Sequence, residues 1–290
     1  MILSQLFLSK LCRIGQVCAA LESLSQIILS EKERHMKLHT LKNNLITASP
    51  INTSYLKKTL LTITALPFLA AMSTPQVMAE VIDIKVTNLT QGMYLTPLLV
   101  TAHPDTADLF SVGDSASSAI QSMAEGGDIS ELVTMAEGVG AVSVENPADG
   151  LLAPGTSTMI SDMATGANDR LSIVSMLLPT NDGFMGLDSW KIPETAGTYN
   201  LYINAYDAGT EANDEIVNGG GAAGVAGIPA NPGANGGENA TGVTSTEANQ
   251  MIHIHRGNIG DTDATGGISD VDSRIHRWLN PVAKVTITVK

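Results

Sequence analysis

The end of the chain limits what it can fold into more than any other feature. From Ala283 to Lys290, Ala283, Val285, Ile287 and Val289 alternate without a break with Lys284, Thr286, Thr288 and Lys290. A period of two puts each set on its own face of a β-strand and cannot build an apolar stripe on a helix. The same pattern recurs at 81–87, where Ile82, Ile84 and Val86 share one face and Asp83, Lys85 and Thr87 the other. Two half-buried strands of this kind predict an antiparallel sheet with one wet face. Between them lie further strand candidates at 93–100, 155–160, 171–178, 198–206 and 251–255, separated by Gly, Pro, Asn and Asp. That spacing predicts an all-β, antiparallel β-sandwich. Two segments break the rhythm: 115–125 and 129–137 space Ala119, Ile120 and Met123, then Leu132, Val133 and Met135, as short helices stopped by Gly126 and Gly138. They are expected to cap one end of the sandwich. The stretch 218–242 holds nine glycines and almost no large apolar side chain. It reads as a loop, either a flexible hairpin extension or an interaction loop.

Ahead of the strand-rich segment, Lys57 and Lys58 precede an uncharged run at 59–71 and the small-residue pattern Val77-x-Ala79. This order is that of a secretory signal peptide over 56–79, cut after Ala79. The alternative, a membrane-spanning helix, needs roughly 20 apolar residues, and this run is shorter and interrupted by Pro67. Residues 1–55 then read as a gene-model extension, with translation starting near Met36, or as a long n-region. The expected product is a secreted or periplasmic domain at 80–290 with no stable membrane span. The net charge of −13 divides accordingly. Eight basic and three acidic residues precede Glu80, and the segment 80–290 holds eight basic and 26 acidic ones, so the expected mature domain carries −18. Such a surface offers no footprint for a phosphate backbone, and nucleic acid is excluded as a partner. Cys12 and Cys18 both leave with the leader, and their spacing fits no metal or redox motif. The mature domain must therefore rely on its core or on a bound ion.

Two segments concentrate oxygen ligands. One is Pro179-Thr180-Asn181-Asp182-Gly183-Phe184-Met185-Gly186-Leu187-Asp188, after the strand candidate 171–178. The other is Asp207-Ala208-Gly209-Thr210-Glu211-Ala212-Asn213-Asp214-Glu215, after 198–206. If the two strands end at the same edge of the sandwich, in facing sheets or as next-but-one neighbours, Asp182, Asp207 and Glu211 converge. Like carboxylates held close oppose joint ionisation unless a cation lies among them. Hard oxygen donors without thiols favour Ca²⁺. Asn181, Asp188 and Asp214 are further candidates in the same segments. Taken alone, either loop also reads as an acidic, solvated turn.

The words from Arg170 to Asp188, Tyr206-Asp-Ala-Gly-Thr-Glu211 and Asn280-Pro-Val-Ala-Lys-Val-Thr286 resemble the spondin domain of F-spondin, mindin and short secreted bacterial proteins. The resemblance covers nearly all of 80–290. It implies a β-sandwich similar to the calcium-dependent membrane-binding domains of protein kinase C, with Ca²⁺ held by loop acids at one end. Matched by motif, the family's acids fall on Asp182, Asp207 and Glu211, and this chain departs from the pattern by having Glu at 211 where the animal proteins have Asp. The thrombospondin repeats and cysteines of the animal proteins are missing, so their adhesion and guidance roles do not carry over.

A second constellation is Met251-Ile-His253-Ile-His255-Arg-Gly257 with His276 beyond it. On a strand, His253 and His255 share a face about 7 Å apart, close enough for a transition metal if His276 folds back. The alternative is an exposed polar face opposite buried Ile252 and Ile254. Arg256, Arg274 and Arg277 would pair with the acidic loops. No Gly-x-Ser-x-Gly elbow, Walker loop, His-Glu-x-x-His helix or reactive cysteine follows the leader. The expectation is a secreted, non-enzymatic, calcium-binding module for adhesion or extracellular interaction with an unknown surface partner. The alternative is a transition-metal protein or metalloenzyme using His253, His255 and His276. A matrix or envelope component needing no ligand is the third possibility.

Overall fold

The computed structural model describes residues 80–233 and 235–290. The signal peptide, its cleavage after Ala79, the segment 1–55 and both cysteines lie outside the described residues.

Ten strands and two helices make up the described chain. In order they are β1 (Val81–Asn88), β2 (Tyr94–Leu95), β3 (Leu99–His103), α1 (Ser118–Gly126), α2 (Ser130–Gly138), β4 (Val142–Glu145), β5 (Ser157–Ala164), β6 (Arg170–Leu178), β7 (Gly183–Lys191), β8 (Gly197–Asp207), β9 (His253–Ile254) and β10 (Ala283–Val289). The terminal strands pair with each other, Ile82 opposite Val289 through Asn88 opposite Ala283. The full antiparallel path is β4-β3-β6-β7-β8-β10-β1-β5, with β2 added to β6 and β9 to β8. Strand β8 is 11 residues long because it serves both halves. Its first part pairs with β10, and Asn204–Asp207 pair with β7. The path thus curls over on itself into a nearly closed sandwich. Ile82, Ile84 and Val86 of β1 and Val285 and Ile287 of β10 meet Val100 of β3 and Leu171, Ile173 and Leu177 of β6 in one core.

The strict alternation of β1 and β10 reflects a single buried face. Strand β6 is buried along nearly its whole length because both faces are covered. Leu171, Ile173 and Leu177 enter the main core, while Val174, Met176 and Leu178 face Ile120, Met123 and Leu132 of the helices. The helices therefore lie over the outer face of β3, β6 and β7 and do not cap an end, because that face carries an apolar stripe of its own. Ser117 opens α1 by accepting the Ile120 N–H at 3.2 Å, and Gly127 closes it in the left-handed conformation at φ 72°.

Three other expectations need correction. The candidate 93–100 is split into β2 and β3 around Pro97, which has no N–H for the ladder. Strands β4 and β7 form outside the strand candidates, β7 within a segment read as a loop supplying oxygen ligands. Only 179–182 turn, and the chain is extended again from Gly183. The segment 251–255 contracts to β9, whose Ile254 is 51% exposed.

Candidate functional site

Strands β6 and β8 both run antiparallel to β7 between them, so they are parallel to each other and end at one edge. The loops that follow them meet there. Asp182, fully buried, reaches across: its Oδ2 accepts the Thr210 N–H at 2.8 Å, the Thr210 hydroxyl at 3.2 Å and the Glu211 N–H at 3.1 Å. Asp207 Oδ1 accepts the Gly209 N–H at 2.8 Å and Oδ2 the Asn213 amide at 2.7 Å. Glu211 Oε2 accepts the Asn181 amide at 3.3 Å and the Gly227 N–H at 3.1 Å. Two oxygens of this web, Asp182 Oδ1 and Glu211 Oε1, are buried without any partner. Polar atoms in that condition are rare in folded proteins and call for an explanation.

The electrostatics are adverse. Burial pushes the Asp182 carboxyl up to about 7, and the neighbouring Asp207 charge adds to the shift against the pull of the Glu211 and Thr210 donors. Burial raises Asp207 too, opposed by its bonds from Asn213 and Gly209. Glu211 is pushed up to about 7 by burial, opposed by Gly227 and Asn181 and aided by the charges of Glu125 and Asp182. Near neutral pH these acids share one desolvated site in which every ionisation is costly.

Of the further candidates, Asn181 and Asp214 belong to the cluster. The Asn181 amide donates to Asp214 Oδ1 at 2.8 Å, and its carbonyl accepts the Glu215 N–H at 3.1 Å. Asp188 does not belong, because β7 carries it away from the edge to the neighbourhood of Asp108 and His103. Sequence reasoning missed the supporting acids. Buried Glu215 accepts Ile259 N–H, Gly260 N–H and the Ser269 hydroxyl at 2.7, 2.8 and 2.6 Å, and Arg256 stands 3.9 Å away. Buried Glu125 of α1 receives the Gly224 N–H. The glycine-rich segment is therefore built into the cluster and is not a free extension. At Gly227, φ is +117° and a side chain would collide with Asn218, so only glycine lets this backbone reach Glu211. Of the arginines expected to pair with the acidic loops, Arg256 stands by Glu215, whereas Arg274 pairs with Asp272, outside those loops, at 2.6 Å.

The three histidines are separated by their surroundings. His255 is buried against Trp278, ring centroids 4.9 Å apart, and its Nδ1 accepts the Gly257 N–H. His276 Nδ1 accepts the Asp272 N–H. In a neutral imidazole an accepting Nδ1 places the proton on Nε2, which then has no lone pair for a metal. Burial lowers the pKa of both rings, that of His255 to about 3, so both stay neutral. His253 is half-buried, bonded to the Met251 carbonyl at 2.8 Å and 3.8 Å from Asp207. Among the described residues, no three His, Cys, Asp or Glu side chains form a ready-made metal cage. That holds for the carboxylates as well, so any cation there would be completed by backbone carbonyls and water. The two unpartnered oxygens are what fit a hard cation.

The spondin N-terminal family, Spondin_N, matches residues 88–215, from the end of β1 through Glu215. Residues 88–215 carry a spondin domain. The match spans Asp182, Asp207 and Glu211, whereas His253, His255 and His276 lie beyond it. A comparison with curated proteins gives no match. The spondin domain is an extracellular interaction module, and no helix among the described residues is long and apolar enough to cross a membrane.

Proposed function

We propose that this spondin domain is a secreted, non-enzymatic, calcium-binding module that presents its loop edge to an extracellular or cell-surface partner. The observation that carries the reading is the pair of unpartnered buried oxygens, Asp182 Oδ1 and Glu211 Oε1, in one web with Asp207. Ca²⁺ accepts six to eight oxygens, backbone carbonyls and water included, and tolerates irregular geometry. Asp182, Asp207 and Glu211 would hold it, with Asn181 and Asp214 orienting Glu211. The ion would supply the positive charge this site lacks and order the loops 208–215 and 218–228. Glu at 211 in place of the family's Asp serves the same end with a longer reach. An open cleft of about 280 Å³ beside Thr210, Glu211 and Glu247 would give ion or partner access. The leader, cut after Ala79, would deliver the domain to the periplasm or the outside.

Isothermal titration of chelator-treated protein with Ca²⁺ tests this. One binding event that also raises the melting temperature is expected, and the absence of both would overturn the reading. The transition-metal alternative is disfavoured by the two imidazoles whose Nε2 atoms carry the proton.

A further inference from the structure

The outward face of the half-sheet β5-β1-β10-β8 is open to solvent, and its cross-strand register defines a grid. One row runs Tyr202, Lys284, Thr87, Ser157 and the next Asn200, Thr286, Lys85, Met159. The third row holds Asp83 and Asp162, both bound by the Lys290 amine at 2.8 and 2.6 Å. Lys85 and Lys284 are different. Among the described residues neither amine has a carboxylate within 4.0 Å. They sit diagonally on adjacent strands, about 7–8 Å apart at their Cα atoms. Three lysines against two acids make this patch net positive in a domain whose expected net charge is −18. Tyr202 and Met159 flank the amines and are 64% and 59% exposed, and the Thr286 hydroxyl is bonded to the Asn200 side chain at 2.9 Å.

We propose that this face binds an acidic polysaccharide lying across the strands. Carboxylate or sulfate groups would engage Lys85 and Lys284, and a sugar ring would lie on Tyr202, whose body is apolar and whose tip is polar. The charge pattern selects a thin polymer over a membrane. At physiological salt a single chain on the face senses charge within about 8 Å, so it meets the lysines and not the distant acidic loops. An anionic bilayer would face the whole negative domain, against which two lysines offer only a small attraction.

The test is retention of the purified protein on immobilised alginate and on dextran sulfate, with neutral dextran and phosphatidylglycerol vesicles as comparisons. All are run in EDTA, so the result is independent of calcium at the carboxylate cluster. Binding to either acidic polymer, reversed by salt, is expected. The two polymers distinguish carboxylate from sulfate preference. Lys85→Glu with Lys284→Glu should weaken binding about tenfold or more, and Tyr202→Ala several-fold. The milder pair Lys85→Gln and Lys284→Gln should also weaken it with an unchanged melting temperature. No binding to either acidic polymer, equal binding to neutral dextran, binding to vesicles alone, or wild-type binding by the lysine variants would each overturn the proposal.

Discussion

Replacing Asp182 with Asn separates the proton from the cation at the carboxylate cluster. Asn keeps an oxygen to accept the Thr210 and Glu211 donors and puts an uncharged NH₂ where the unpartnered oxygen lies. In calcium-free protein, the folded-state value of about 7 lies above the ordinary 3.8. The folded state therefore holds a proton that the unfolded state releases. Stability from this group is fully present below about pH 4 and is lost as pH rises through about 7. Linkage between those values gives a loss of roughly 2–3 kcal/mol from pH 5 to pH 8. His255 has the opposite slope in this range, since its folded-state value of about 3 lies below the ordinary 6.5 and its contribution is lost as pH falls. Asp207, Glu211, Glu125 and His253, which face the site, remain in both proteins. The informative quantity is thus the difference between variant and wild type. Urea denaturation in EDTA should show the variant gaining roughly 2–3 kcal/mol relative to wild type from pH 5 to pH 8. With Ca²⁺ at about 100 times its dissociation constant, wild type should gain about 2.7 kcal/mol and the variant almost nothing. Parallel pH curves, or an undiminished calcium effect in the variant, would refute the reasoning.

Other perturbations follow from the same geometry. Gly209→Ala places a Cβ 2.5 Å from the Gln250 carbonyl carbon at φ +71°, so a melt should show a loss of about 1–3 kcal/mol and titration a weaker calcium site. Glu215→Gln removes a charge that holds three donors, and circular dichroism should record about 2–3 kcal/mol of destabilisation. Phe184→Ala empties the centre of the Phe110–Phe184–Tyr206 cluster and should cost about 3–5 kcal/mol in denaturant titration. Protein purified with Zn²⁺ should hold no stoichiometric zinc by elemental analysis. Zinc present at one equivalent and lost when His253, His255 and His276 become Ala would favour the alternative metal reading.

The sequence exposed what depends on a period of two. Strands β1 and β10 follow from alternation because each has one dry face, and β6 from its unbroken run of apolar and small residues. Strand β7 was hidden because its first residues continue a turn-like Asn-Asp-Gly and its last are polar, so the segment reads as a supply of oxygen ligands. The convergence of Asp182, Asp207 and Glu211 depended on β6 and β8 being next-but-one neighbours, one of the arrangements the sequence left open. Composition misled most at 218–242. Glycines suggest freedom, yet Gly227 and Gly224 are where backbone must approach Glu211 and Glu125 closely. Tautomers are invisible in sequence, which is why His255 and His276 looked like ligands until their Nδ1 partners were seen.

A crystal structure of the protein grown with saturating Ca²⁺ tests the calcium site itself. One ion is expected, with Asp182 Oδ1 and Glu211 Oε1 at about 2.3–2.6 Å and Asp207 in its coordination. An empty site, with both oxygens still unpartnered in the presence of calcium, would contradict that expectation.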